Sequence, residues 1–128
     1  FALSGLLLPL LQQASAPRVV WVSSLRSFGG SVNLTDLKGE ADFDYSAAYD
    51  HSKLALLMIA FQMQARSAAN GWGISAVAAH PGVARTNIIP DGPGEDSREG
   101  RNLKNMGFMF RPAAEAVLPI LYAATSPE

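Results

Sequence analysis

Tyr49 and Lys53 stand one helical turn apart in Tyr49-Asp50-His51-Ser52-Lys53, at the head of the longest helical pattern in the chain. On a helix, positions i and i+4 share a face, with their side chains stacked one above the other. The spacing therefore turns a phenol and an ammonium toward the same cleft. An isolated phenol titrates near ~10, and a fixed cation beside it favours the ionised form, which is the condition for exchanging protons near neutral pH. Further hydroxyls come from Ser23-Ser24, which close the apolar run Arg18-Val19-Val20-Trp21-Val22. In open α/β sheets the carboxyl ends of the strands are where ligands sit.

The elements that must position these groups can be read around them. The run 18–23 is β-branched and does not alternate, as expected of a strand buried on both faces of a parallel sheet. A helix is expected over residues 47–69, with Leu54, Leu57, Met58, Phe61 and Ala65 on one stripe and Leu56, Ile59, Ala60 and Met63 widening it, and Asn70-Gly71 as its stop. Ile74 to His80 forms a second non-alternating strand. Strand, helix and strand at this spacing predict a right-handed parallel crossover.

Upstream, residues 2–13 read as a helix apolar all round, which must be covered on most sides. A signal-peptide core is the competing reading of this stretch, but no Met or basic segment precedes it, and the run is too short to span a bilayer. A buried helix cut off at its start is preferred. Residues 25–46 lose all periodicity, and Gly29-Gly30 breaks the pattern, so a long surface excursion with at most a short strand is expected. Its Glu40, Asp42 and Asp44 lack histidine and the spacing of a calcium loop, and are read as solvated carboxylates. Residues 91–105 read as a mobile loop or lid. Gly92-Pro93-Gly94 within it is no phosphate cradle, since no strand leads into it and proline lacks the donor. Arg111-Pro112 opens a last helix, with Pro112 near N1 and a kink at Pro119.

Composition narrows the function. Apolar residues make up 48% of the 128, enough for one modest domain with a core. Ten basic and eleven acidic residues give a net charge of −1, and no basic run interleaves with aromatics, so no nucleic-acid partner is expected. No cysteine is present, which removes disulfides and thiolate metal sites. No metal is expected, and a cytoplasmic location is.

Strand, Ser23-Ser24, Tyr49-Asp50-His51-Ser52-Lys53-Leu54-Ala55 on a helix, apolar strand, then His80-Pro81-Gly82-Val83-Ala84-Arg85-Thr86: this order resembles the C-terminal half of a short-chain dehydrogenase/reductase. The likeness runs over nearly the whole chain. The long interval between Ser24 and Tyr49, with Asn33-Leu34 and Asp36-Leu37-Lys38-Gly39-Glu40 inside it, is similar to the retinol-dehydrogenase-like and protochlorophyllide-reductase-like branch. The fold implied is a Rossmann-like doubly wound parallel sheet, of which residues 1–128 would be the incomplete C-terminal portion of a single nucleotide-binding domain.

By that resemblance the reaction is hydride transfer between a small hydrophobic carbonyl or alcohol and NADP or NAD, with a lean toward NADP. Tyr49 would be the general acid in reduction and the general base in oxidation. Lys53 would lower the phenol's pKa and bond the nicotinamide ribose. Ser24 would hold the substrate oxygen where charge develops, with Ser23 the alternative if the strand register differs. Pro81, Gly82, Val83 and Thr86 would meet the nicotinamide carboxamide. The family's Gly-rich phosphate turn, its cofactor-selecting residue, its earlier strands and its last strand have no match here, so the 128 residues alone are not expected to be a competent enzyme.

The same residues admit other readings. Tyr45 has no lysine four residues on and is read as a packing or loop residue. His51 points away from Tyr49 and is given a surface or interface role, and Trp21 and Trp72 are read as packing residues. A Ser24–His80–Asp36 hydrolase lacks the Gly-x-Ser-x-Gly elbow. A non-catalytic association fragment remains open. The helix at 47–69 is apolar on both sides, so its outer face meets either the helix at 2–13 or a second subunit, and a homo-oligomer through these two helices is the partner expectation.

Overall fold

The computed structural model describes residues 1–37, 41 and 43–127. Chain order places helix α1 (Ala2–Leu11), strand β1 (Arg18–Val22), a 3₁₀ turn (Leu25–Gly29), helix α2 (Tyr45–Asn70) and strand β2 (Ser75–Ala79). Then come β3 (Ala84–Arg85), α3 (Arg98–Asn105), a second 3₁₀ turn (Gly107–Met109), β4 (Arg111–Pro112), α4 (Ala113–Ala116) and α5 (Leu118–Thr125). The architecture is mixed α/β with two short parallel sheets, β1–β2 and β3–β4.

Arg18 pairs with Ser75 and Val22 with Ala79, in parallel. The expected parallel strand–helix–strand unit is therefore present. The ladder extends past the strand, where the Ser23 N–H donates to the Ala79 carbonyl at 2.9 Å. At the other end, the Arg18 guanidinium donates to the Ala123 carbonyl at 2.8 Å and ties α5 to the start of β1.

Helix α2 starts earlier than the periodicity suggests. Asp44 is its N-cap, accepting from the Ala47 N–H at 2.6 Å, so Tyr45 is the first helical residue. Asp44 is exposed, as expected, and caps the helix in addition; Glu40 and Asp42 lie outside the described residues. The helix stops at Gly71 in the left-handed conformation, as its sequence signal indicates.

The stripe that α2 presents to the sheet differs from the expected one. Ala60 and Ser67 are buried, whereas Met58 and Phe61 are 51% and 68% exposed. The reason is polar. Ser67 Oγ donates to the Ile74 carbonyl at 2.7 Å and accepts from its N–H at 3.0 Å, and Gln64 Oε1 accepts from the Ala76 N–H at 2.8 Å. A buried backbone group must be paired, and these side chains pair the start of β2. Hydrophobicity alone selects the wrong face.

Other expectations also need correction. Helix α1 is not covered: Leu3, Leu6 and Leu10 are 69%, 79% and 63% exposed. Its Ser4, Gly5 and Leu8 instead line a cavity of about 280 Å³ shared with Trp21, Ile59 and Trp72. Residues 98–105 are helical rather than lid-like loop. Arg111-Pro112 leads into a helix as expected, but Pro112 is the N-cap of α4 and the pair also forms β4, beside β3. The last helix is divided at Val117, with Pro119 near the start of α5. No strand forms among the described residues of 25–46. Among the described residues, the buried apolar ones are Trp21, Ala60, Ile74, Ala76 and Ala116.

Candidate functional site

Tyr49 and Lys53 lie in the second and third turns of α2, both half-buried. Lys53 Nζ lies 5.5 Å from the centre of the Tyr49 ring and donates to the Val22 carbonyl, at 3.3 Å, where β1 ends. The ammonium is thus held between the phenol and the strand tip. The helix supplies the spacing, and the strand end supplies the tether.

Ser23 and Ser24 separate into different duties. Ser23 is buried, and its Oγ donates to the Lys53 carbonyl at 2.8 Å, so this hydroxyl faces the helix and joins β1 to α2. Ser24 is the N-cap of the 3₁₀ turn, where its Oγ accepts from the Arg26 N–H at 3.2 Å. That bond uses an acceptor site of the hydroxyl and leaves the O–H proton available. Of the pair, Ser24 has the hydroxyl that can still donate.

The 3₁₀ turn folds back against the head of α2. A methyl on Gly30 would sit 2.7 Å from the Asp50 carbonyl oxygen and 3.0 Å from Leu54 Cβ, so only a residue without a side chain allows this approach. Arg26 bridges the gap: its guanidinium bonds the Asp50 carboxylate and the Ser46 hydroxyl, and its Cζ lies 5.9 Å from the Tyr49 ring centre. The hydrogen bond it donates to Asp50 raises the pKa of Arg26 above its ordinary value, outweighing partial desolvation, so this cation is permanent. Two cations therefore stand within about 6 Å of one phenol ring, the distance at which cation–π attraction operates. Lys53 was legible in the sequence. Arg26 was not: it falls in an aperiodic stretch, and nothing in its spacing points to Tyr49.

Beyond β2 the chain turns through Pro81, Gly82 and Val83. Gly82 has φ +74°, and its N–H donates to His80 Nδ1 at 3.0 Å. His80 thus shapes the backbone turn. The Val83 carbonyl accepts from the Arg111 N–H at 2.9 Å, next to the β3–β4 pair. Thr86 is exposed, and its Oγ1 accepts from the Ile88 N–H at 3.4 Å. It borders a cavity of about 340 Å³ whose walls include Ile89, Pro90, Lys104 and Phe110. Tyr45 packs against the segment after β3, its hydroxyl 2.6 Å from where a methyl on Gly92 would stand. Among the described residues, no group of three or more His, Cys, Asp and Glu side chains could hold a metal ion, and no helix is long and apolar enough to cross a membrane.

Parallel strands joined by a helix, with hydroxyls, a phenol and an ammonium near one strand end, define an α/β unit built to present polar groups at a sheet edge. No family model matches the chain. It is 33% identical over 132 residues to human (Homo sapiens) polyprenol dehydrogenase, a match covering 100% of this chain and 39% of that protein. Mouse (Mus musculus) retinol dehydrogenase 14 is 32% identical over 133 residues, covering 100% of this chain and 38% of the relative. A crystal structure of an uncharacterized protein from Mycobacterium paratuberculosis superposes with a TM-score of 0.63 at 31% identity, covering 87% of this chain and 34% of that one. The chain is similar over its whole length to members of the short-chain dehydrogenase/reductase family, to which these dehydrogenases belong. It spans about two fifths of the length of the curated relatives, at 39% and 40% of the first two.

Proposed function

We propose that the protein containing this chain is an oxidoreductase that interconverts an apolar alcohol and its carbonyl, with Tyr49 exchanging the proton. The observation that carries this reading is the placement of Lys53 Nζ, 5.5 Å from the Tyr49 ring and 3.3 Å from the Val22 carbonyl at the strand tip. Tyr49 gives its hydroxyl proton to the substrate oxygen in reduction and takes it back in oxidation. Lys53 keeps a positive charge beside the ring as that proton moves. Ser24 donates to the same substrate oxygen, and the engagement of Ser23 with the Lys53 carbonyl supports Ser24 over Ser23 for this task.

NADP or NAD, with NADP favoured, would supply the hydride when bound. The residues present suit such a group. Nothing lies within 4 Å of where a side chain on Gly82 would be, so a ligand can reach the turn's backbone. Thr86 has a hydroxyl proton to offer a carboxamide. Pro81, Gly82, Val83 and Thr86 would hold the nicotinamide end, with Lys53 and Tyr49 toward its ribose. Dehydrogenase names among the relatives support the reaction class, and polyprenol and retinol in those names support an apolar substrate. The exposed leucines of α1 favour an added reading, self-association through α1 and α2.

The test is Tyr49→Phe in the full-length protein. Nicotinamide absorbance change with a panel of apolar alcohols and aldehydes should disappear, while far-UV circular dichroism stays unchanged. Retained turnover in Tyr49→Phe would refute the assignment.

A further inference from the structure

We propose that Arg26 is a positioning residue for Tyr49, bracing its ring and locking the Ser24 turn onto helix α2. This rests on the reading of Tyr49 as the proton-exchanging group. Arg26 is the residue through which the parts of the site meet. Its backbone N–H is bonded to Ser24 Oγ at 3.2 Å, its side chain bonds Asp50 and Ser46 on either side of Tyr49 in sequence, and its Cζ stands 5.9 Å from the Tyr49 ring centre.

The chemistry favours arginine here. A guanidinium is a planar fork whose donors can engage two acceptors at once while its face lies against an aromatic ring; an ammonium cannot do both. Asp50 is well placed as its anchor, with a side chain only 16% exposed. Gly30 keeps the turn close enough for the fork to reach, since a methyl there would come 2.7 Å from the Asp50 carbonyl oxygen. Losing the brace frees both the ring and the Ser24 turn, so the hydroxyls no longer converge on one substrate oxygen. Misplacement of this kind costs up to about a hundredfold in rate.

The full-length protein tests this through Arg26→Ala, Arg26→Lys, Asp50→Ala and the double variant Arg26→Ala/Asp50→Ala, beside Tyr49→Phe. Arg26→Ala is expected to lower kcat by about tenfold to a hundredfold, with KM for the nicotinamide cofactor changed by less than about threefold and the thermal midpoint nearly kept. Millimolar methylguanidinium should restore part of that kcat, which it cannot do for a residue that only supports the fold. Arg26→Lys should fall between wild type and Arg26→Ala, and the double variant should be no slower than Arg26→Ala alone, because Asp50 acts through Arg26. An inactive Tyr49→Phe with an unimpaired Arg26→Ala overturns this proposal and leaves the site reading standing. A loss in Arg26→Ala that methylguanidinium does not restore and that tracks a lowered thermal midpoint also overturns it. An active Tyr49→Phe removes both.

Discussion

Gly30→Ala sets two effects of opposite sign against each other, and the structure decides between them. Gly30 has φ −77° and ψ 152°, which alanine adopts freely. By backbone entropy alone the substitution should stabilise by about 0.4–1 kcal/mol, because it restricts the unfolded chain. The added methyl, however, would lie 2.7 Å from the Asp50 carbonyl oxygen and 3.0 Å from its carbon. A carbon–oxygen contact relaxes at roughly 3.3 Å, so the turn or the helix must retreat by about half an ångström. Both clashing atoms belong to the backbone of a helix, which cannot swing aside as a side chain can. Overpacking of this kind costs about 1–3 kcal/mol, so the net expectation is a loss of about 1–2 kcal/mol. Urea denaturation followed by circular dichroism reads it directly, with Gly5→Ala as the comparison. Gly5 is inside a helix with nothing within 4 Å of its added methyl, and should gain stability. A Gly30→Ala midpoint at or above wild type would show that the turn does not rest on α2, and the contact of Arg26 with Asp50 would lose its basis.

Ser67→Ala should be among the more destabilising single changes, by about 2–4 kcal/mol, because it strips a partner from both the N–H and the carbonyl of Ile74 in a buried place; a change below about 0.5 kcal/mol in urea denaturation would contradict that. Ser23→Ala and Ser24→Ala should separate cleanly. Ser23→Ala loses its bond to the Lys53 carbonyl and about 1 kcal/mol of stability with turnover largely kept, whereas Ser24→Ala loses an exposed cap bond, about 0.5 kcal/mol, and turnover about a hundredfold; a Ser23→Ala that loses turnover beside a Ser24→Ala that keeps it would exchange their roles.

Much of the site was legible because its key relation is local. Tyr49 and Lys53 share a face through helical spacing alone, and strand–helix–strand order with apolar, non-alternating runs implies a parallel pair. The Ser-Ser, Tyr-Lys and Pro-Gly segments then identify a family. What was misread depended on contacts between distant residues. The sheet-facing stripe of α2 follows polar Gln64 and Ser67 because strand backbone groups need partners, which a hydrophobic pattern does not register. The pairing of Ala84-Arg85 with Arg111-Pro112 joins segments too short to carry any periodicity. Which serine turns inward depends on the exact twist of the strand tip against α2, and sequence left both in play.

By itself, then, the sequence determined the helix that carries the phenol and the amine, the two strands that flank it, and the order in which they come. Tertiary structure alone brought Arg26 across 24 positions to Asp50 and over the Tyr49 ring, because closing a loop depends on what its two ends meet in space. Side-chain periodicity within the loop carries no record of that meeting.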